Sequence, residues 1–346
     1  MTATRPAVTV DQEALTAWLV AQGVVAAGAE LRVDQLAGGS SNPTFRLREV
    51  GGDGVDLVLR RPPDRGALPT AHDMDREYRF QAALAATAVP VAPMVALCRD
   101  AAVIGAPFYV MGRLDGVVHA RAAAVRELPA GTAPAAALAL VRTLAALHAV
   151  DPVAVGLGDY ARPEPYAARQ LRRWRRQWEA SRVETVPLVG DVLAALTAAV
   201  PDAGPDRIVH GDYNLANVMY ERARPERVLA VLDWEMATVG APEADLGQLL
   251  AYWGAAGRLL FADRGGHLPD AAPGMPSAAE LVREYHTAGE LRVRHIPFWE
   301  SFAVIKLAII CAGALRRVAD PTAEHRTRIE SVVAGLANIA RDTLKE

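Results

Sequence analysis

Asp212, Asn217 and Asp233 carry oxygen atoms at spacings that suit phosphoryl transfer. The first two lie in His210-Gly211-Asp212-Tyr213-Asn214-Leu215-Ala216-Asn217, directly after the apolar pair Ile208-Val209. The third sits in Leu232-Asp233-Trp234, at the end of an apolar run from Val228 to Leu232. Side chains at strand ends and in tight loops can be aimed into a cleft. There one carboxylate can orient an acceptor hydroxyl, while a second carboxylate and an amide oxygen hold magnesium on nucleotide phosphates. His-Gly-Asp alone would be only a turn, and Leu-Asp-Trp alone only a strand end. Their weight comes from appearing together, in this order and on these elements.

His-x-Asp-x-x-x-x-Asn, followed by a strand ending in Asp plus an aromatic residue, resembles the catalytic loop and metal-binding segment of the protein-kinase-like superfamily. His-Gly-Asp, Asp233-Trp234-Glu235 and Gly240-Ala241-Pro242-Glu243-Ala244-Asp245-Leu246 resemble the aminoglycoside phosphotransferase family, which also includes choline-kinase-like and homoserine-kinase-like enzymes. The resemblance runs from about Leu31 to Arg317. Val58-Leu59-Arg60-Arg61-Pro62-Pro63, Asp75-Arg76-Glu77 and Leu144-Ala145-Ala146-Leu147-His148 look most like one branch of it. Members of that branch stand alone in bacteria or are fused to acyl-CoA dehydrogenases, and some fused ones phosphorylate 4-hydroxyacyl-CoA. The resemblance implies ATP and Mg2+ as cofactors. It makes Asp212 the acceptor-orienting base and Asn217 and Asp233 the magnesium ligands. His210 would support the loop by hydrogen bonding, and Asp245 would cap a helix or brace the loop backbone. Glu235 would contact the second magnesium shell or face solvent.

These residues need a scaffold, and the pattern of the chain supplies one. Thr9-Val10-Asp11-Gln12 resembles a capping box before a helix with Leu15, Trp18 and Leu19 on one stripe. Short strands follow at Leu31 to Leu36, Thr44 to Val50 and Val55 to Arg60, the last two joined by Gly51-Gly52-Asp53-Gly54. A helix from Asp73 to Ala86 and strands at Met94 to Cys98 and Phe108 to Met111 complete a five-stranded antiparallel sheet carrying one helix. Beyond Gly112 the apolar spacing predicts helices: Pro134 to Val150, Tyr166 to Ser181, Val189 to Val200 and Asp245 to Trp253. Three more follow at Ala278 to Ala288, Pro297 to Arg316 and Thr322 to Lys345. The expected fold class is α+β, a bilobal protein-kinase-like fold with a small five-stranded antiparallel β lobe and a large mainly α-helical lobe. The expected divisions are a nucleotide-binding lobe at 1–111, a hinge at 112–116 and a catalytic and substrate-binding lobe at 117–346.

Gly38-Gly39-Ser40-Ser41-Asn42, between the first two strands, offers small residues and hydroxyl and N–H donors to a polyphosphate. Kinases usually carry a lysine on the third strand for the α- and β-phosphates, and this region has none. Leu57-Val58-Leu59-Arg60 aligns with the usual Val-Ala-Ile-Lys, so Arg60 takes that place, with Glu77 as its carboxylate partner. Arg61 competes, but strand alternation points it to the opposite face. By position in the family pattern, the Gly112 carbonyl would accept from the adenine amino group and the Leu114 N–H would donate to the ring.

Composition narrows the classes. A chain of 346 residues with 51% hydrophobic content suits two lobes better than one. Its net charge of −3 gives no electrostatic footprint for nucleic acid, and the basic run Leu171 to Arg176 reads as an amphipathic helix beside Trp174 and Trp178. The opening residues lack a secretory pattern, and the longest apolar stretch, Phe302 to Leu315, contains Lys306 and reads as too short for a bilayer. Cys98 and Cys311 read as buried thiols of a reducing cytoplasm. The expectation is therefore a soluble cytoplasmic protein with no nucleic-acid or membrane partner; nothing in the sequence bears on its oligomeric state. The acceptor would be a small molecule bearing a hydroxyl, bound by residues of roughly Ala251 to Arg317. Acids, bases and aromatics are mixed there, which disfavours a polycationic aminoglycoside and fits a partly apolar or anionic compound such as a hydroxyacyl-CoA. The alternative is a catalytically silent nucleotide-binding protein of the same fold, which the missing lysine and unusual phosphate loop would favour.

Overall fold

The structure, a computed structural model, describes residues 10–36, 42–52, 54–63, 73–181, 183, 185–202, 204–262, 265–317 and 322–346. Thr9, Ser40 and Ser41 lie outside the described residues. Contacts divide the chain into two compact units: Met1–Asp115 with Ala230–Ala237, and Gly116–Leu229 with Thr238–Glu346.

The first unit opens with α1 (Gln12–Ala21), whose N-cap is Asp11; its carboxylate accepts from the Ala14 N–H at 3.0 Å. Strands β1 (Leu31–Gln35), β2 (Thr44–Glu49) and β3 (Asp56–Arg60) precede α2 (Met74–Leu84), and β4 (Met94–Cys98) and β5 (Phe108–Gly112) follow it. They form one five-stranded antiparallel sheet, as expected, in the order β1-β2-β3-β5-β4. Phe45 and Leu47 on β2 alternate with Arg46 and Arg48 and bury themselves with Leu59, Phe108 and Val110. Leu15 and Leu19 of α1 close the same cluster. Each side chain of this size, fully buried, contributes roughly 1.5–3 kcal/mol. Across the β3–β5 ladder Arg60 stands opposite Tyr109. This register sets the position of the arginine.

The second unit begins with β6 (Gly116–Val118), α3 (Ala122–Arg126) and α4 (Thr132–Ala149). Next come α5 (Tyr166–Ser181), α6 (Leu188–Ala198), β7 (Arg207–Val209), β8 (Val218–Glu221) and β9 (Val228–Val231), where the chain passes into the first unit. It returns with β10 (Thr238–Gly240), α7 (Glu243–Trp253) and α8 (Ala255–Phe261), and ends with α9 (Ala278–Ala288), α10 (Ile296–Arg317) and α11 (Ala323–Thr343). The α5 helix buries Ala167, Leu171 and Trp174 while Arg172, Arg173, Arg175 and Arg176 remain exposed, the amphipathic split expected of it. The short helices α3 and α8 escaped the sequence reading because a stretch of one or two turns carries too little periodicity.

At the centre lies α10, packed against α5, α6, α7 and α11. It is longer than the apolar stretch from Phe302 to Leu315, because Ile296 to Ser301 continue the helix. Two helices, Thr132–Ala149 and Ile296–Leu315, are long and apolar enough to cross a membrane by length and composition alone. Here they are core helices, with 56% and 72% of their windows buried. Cys98 is buried as expected, whereas Cys311 on α10 is only partly so.

The α7–α10 contact depends on a missing side chain. A Cβ on Gly247 would lie 2.5 Å from the backbone carbon and oxygen of Trp299. Backbone cannot rotate away, so Gly247→Ala should destabilise the protein by about 1–3 kcal/mol, the usual cost of overpacking. Denaturant unfolding of the variant beside the wild type measures it.

Candidate active site

In the second unit, β7 delivers the His210–Asn217 loop, and three buried groups fix its start. Asp245, fully buried in the first turn of α7, accepts from the His210 N–H at 2.6 Å and the Gly211 N–H at 2.7 Å. The helix begins at Glu243 with Pro242 as its cap, so Asp245 braces the loop and does not cap the helix. Burial works against the Asp245 charge, but hydrogen bonds from His148 and the loop amide hold its carboxyl below the ordinary value. His148 is itself buried and pairs through Nδ1 with the Tyr285 hydroxyl at 2.7 Å. Gly211 adopts φ +83, which favours a residue without Cβ. Asp212 N–H then donates to His210 Nδ1 at 3.3 Å, the supporting role expected of that histidine.

Beyond the turn, Asn217 faces back on Asp212. Its Nδ2 donates to the Asp212 carbonyl at 2.8 Å and to Asp212 Oδ2 at 3.0 Å. The structure thus brings Asp212 and Asn217 together, five residues apart in sequence. With the amide nitrogen committed to Asp212, the Asn217 oxygen remains available as a hard donor. Asn214 caps the short turn at Leu215–Asn217 by accepting from the Ala216 N–H at 2.8 Å.

In the first unit, β3, α2 and the Asp233 segment converge on one guanidinium. Arg60 Nε lies 3.1 Å from Glu77 Oε2, its Nη2 contacts Asp233 Oδ1, and Glu235 Oε2 stands 3.8 Å away. Glu77 also accepts from the Tyr109 hydroxyl at 3.0 Å and from Asn42 Nδ2 at 2.9 Å. Burial pushes Glu77 up to about 7, against the pull of Arg60 and the Tyr109 hydroxyl. Burial lowers the Arg60 pKa, but Glu77, Tyr109 and Asp233 outweigh it and the net shift is upward. Asn42, read from sequence as part of a phosphate cover, is 1% exposed and turns its amide to Glu77. Arg61 is buried, and Arg60 makes the carboxylate contacts.

The Asp233 segment is fastened to this unit by backbone. Val231 N–H donates to Pro90 O at 2.8 Å, and Arg76 Nη2 donates to Glu235 O at 2.5 Å. Asp233 itself has φ 63 and ψ 62, a left-handed conformation costly for residues other than Gly, Asn and Asp. Glu235 therefore belongs with Arg60 and Asn42, an arrangement the sequence reading did not contain. The adenine candidates lie at the end of β5. Gly112 N–H donates to Pro93 O at 2.8 Å, while the Leu114 N–H has no acceptor among the described residues. Ser40 and Ser41 fall outside them.

No group of three or more His, Cys, Asp or Glu side chains able to hold a metal occurs among the described residues. Magnesium takes one or two carboxylates and keeps the rest of its shell for water and phosphate. Asp233 and the Asn217 amide oxygen have the right hard-donor chemistry.

Lys306 was missed as a site residue. Its Nζ donates to the Gly211 carbonyl at 2.7 Å and to Gln248 Oε1 at 3.0 Å. The available signal was a lone lysine inside an apolar helix, since a charge there needs partners.

Residues 32–281 match the phosphotransferase enzyme family. Mouse acyl-CoA dehydrogenase family member 11 is 35% identical over 294 residues, covering 84% of this chain and 37% of that protein. Mouse acyl-CoA dehydrogenase family member 10 is 30% identical over 341 residues, covering 96% of this chain and 31% of that protein. The chain thus spans roughly a third of the length of these curated relatives. A crystal structure of a candidate aminoglycoside phosphotransferase from Ralstonia eutropha JMP134 is 33% identical with a TM-score of 0.76, covering 96% of this chain and 99% of that one. A thermostable mutant of aminoglycoside phosphotransferase APH(4)-Ia, solved with AMP-PNP and hygromycin B, has 17% identity and a TM-score of 0.59 over 94% and 97%. It shares the fold, α+β of the bilobal protein-kinase-like class. With a match across most of its length and relatives above 30% identity, the chain belongs to the phosphotransferase enzyme family.

Proposed function

We propose that the chain is an ATP- and Mg2+-dependent phosphotransferase that phosphorylates a hydroxyl group of a small molecule. The observation that carries this reading is the Asp212 carboxylate, held 3.0 Å from Asn217 Nδ2 on a loop clamped by Asp245. An aspartate suffices, because a loose transition state needs the hydroxyl aligned more than it needs early proton removal. Asp212 accepts the hydroxyl's hydrogen bond and then its proton, as the acceptor oxygen bonds to the γ-phosphorus and the bridging P–O bond breaks. Asn217 and Asp233 are the magnesium ligands in this reading; magnesium supplies charge neutralisation on the phosphates. Arg60 serves the α- and β-phosphates with Glu77 behind it. Both roles require the Arg60–Asp233 contact to open. Gly112 and Leu114 meet the adenine through backbone groups, and Ser40 and Ser41 cover the phosphates, while the buried Asn42 steadies Glu77 beneath them.

The Arg60–Glu77 pair supports an enzyme over a silent nucleotide-binding protein, since arginine has taken over the charge that the absent lysine would carry. For the acceptor we favour a hydroxyacyl-CoA or another partly apolar metabolite. A small cavity of about 60 Å³, room for an apolar group but not for a whole coenzyme A thioester, borders the loop at Asn214, Leu215 and Ala216 and is walled by Tyr252, Trp253 and Phe261. The names of the curated relatives point the same way.

A panel of hydroxyl acceptors with ATP and magnesium, scored by the mass gain of a phosphoryl group, tests the reading. Stabilisation by ATP without transfer to any acceptor would favour the silent protein. On the acceptor that responds, Asp212→Ala and Asp233→Ala should each lower kcat about 10²–10⁴-fold while leaving the fold intact. Wild-type turnover in Asp212→Ala would remove it from the reaction. Arg60→Ala should raise the KM for ATP and cost about 3–5 kcal/mol, because Glu77 loses its cation in a buried setting. Arg60→Lys should keep part of both, and steady-state kinetics with thermal unfolding separate the two effects.

A further inference from the structure

Of the chain's two lysines, one lies at its C-terminal end and the other, Lys306, stands alone in the central helix α10, where every other cation of the neighbouring turns has been excluded. Elsewhere the sequence uses arginine. The position explains the exception. Two acceptors converge there, the Gly211 carbonyl at 2.7 Å and Gln248 Oε1 at 3.0 Å, and the Trp174 ring centroid lies 6.0 Å from Nζ. A compact ammonium with three donors meets that geometry, whereas a planar guanidinium would bring five donors to two acceptors. Gln248 is 2% exposed, and in presenting its oxygen to Lys306 it leaves Nε2 buried without a partner among the described residues.

The carbonyl that Lys306 holds belongs to the 211–212 peptide, whose N–H donates to His210 Nδ1. Asp245 holds the preceding peptide through the Gly211 N–H. Gly211, free to adopt its left-handed φ, cannot stiffen this turn by itself. We propose that Lys306 is a positioning residue for Asp212: it fixes the 211–212 peptide from α10 and sets a cation within electrostatic reach of the Asp212 carboxylate. Burial lowers the Lys306 pKa, and the Asp212 and Asp245 carboxylates pull it back up, consistent with that proximity. The inference rests on the reading of Asp212 as the acceptor-orienting group.

The test uses the full chain with Lys306→Met and Lys306→Gln, beside Lys306→Arg. Hydrogen exchange of the 208–217 segment reads loop order without any turnover. In the neutral variants the Gly211 and Asp212 amides should exchange about tenfold faster while the thermal midpoint of the whole chain stays close to wild type. With the acceptor found by the panel, kcat should fall about 10²-fold, the cost of a small misplacement, and the KM for ATP should stay within about twofold. Lys306→Arg should recover part of both signals. Wild-type exchange and kcat in a folded neutral variant, or failure of both neutral variants to fold, would overturn the proposal. A wild-type chain that transfers no phosphoryl group defeats the reading of Asp212 instead, and the exchange rates still decide whether Lys306 orders the loop.

Discussion

The second unit is organised around the Asp245 carboxylate, a charge with no access to water that survives because three groups serve it. Two are loop amides, at His210 and Gly211, and a third is the His148 ring. A buried carboxylate without such partners would be strongly unfavourable. The same bonds that make the charge tolerable fix the backbone immediately before Asp212. Stability and the geometry of the Asp212 loop are therefore served by one set of contacts, and the loop cannot relax without leaving an unpaired acid in the core.

The first unit resolves a different electrostatic problem. Three carboxylates, Glu77, Asp233 and Glu235, gather about the single guanidinium of Arg60. Glu77 is the most deeply placed and is held by Tyr109 and Asn42 as well. Arginine suits this position because its fork can engage two carboxylates at once, which an ammonium does less well. In this chain the two cation types have exchanged their usual places: an arginine on the third strand, and a lysine reserved for a carbonyl contact in a helical core.

The five antiparallel strands, the longer helices and the loop bearing Asp212 were legible in the sequence for a common reason. Alternation on β2 and the helical spacing of α5 are local signals, set by which face of an element must leave water. The His-Gly-Asp segment was legible because glycine at 211 and the flanking apolar strand are local as well. Asp245 was read only as a cap or a brace, and the choice between them required knowing that α7 begins two residues earlier.

By itself, then, the sequence determined the α+β class, the five antiparallel strands, and the residue types able to hold a metal and orient a hydroxyl. Tertiary structure alone decided which acids share Arg60, that Asn42 turns to Glu77, and that Glu235 joins them. It also decided that Lys306, 95 residues from Gly211, closes on its carbonyl. The physical reason is that periodicity reports the face a side chain presents. The partner it meets there is set by packing between segments far apart in the chain, where burial makes each unpaired charge or amide find a neighbour.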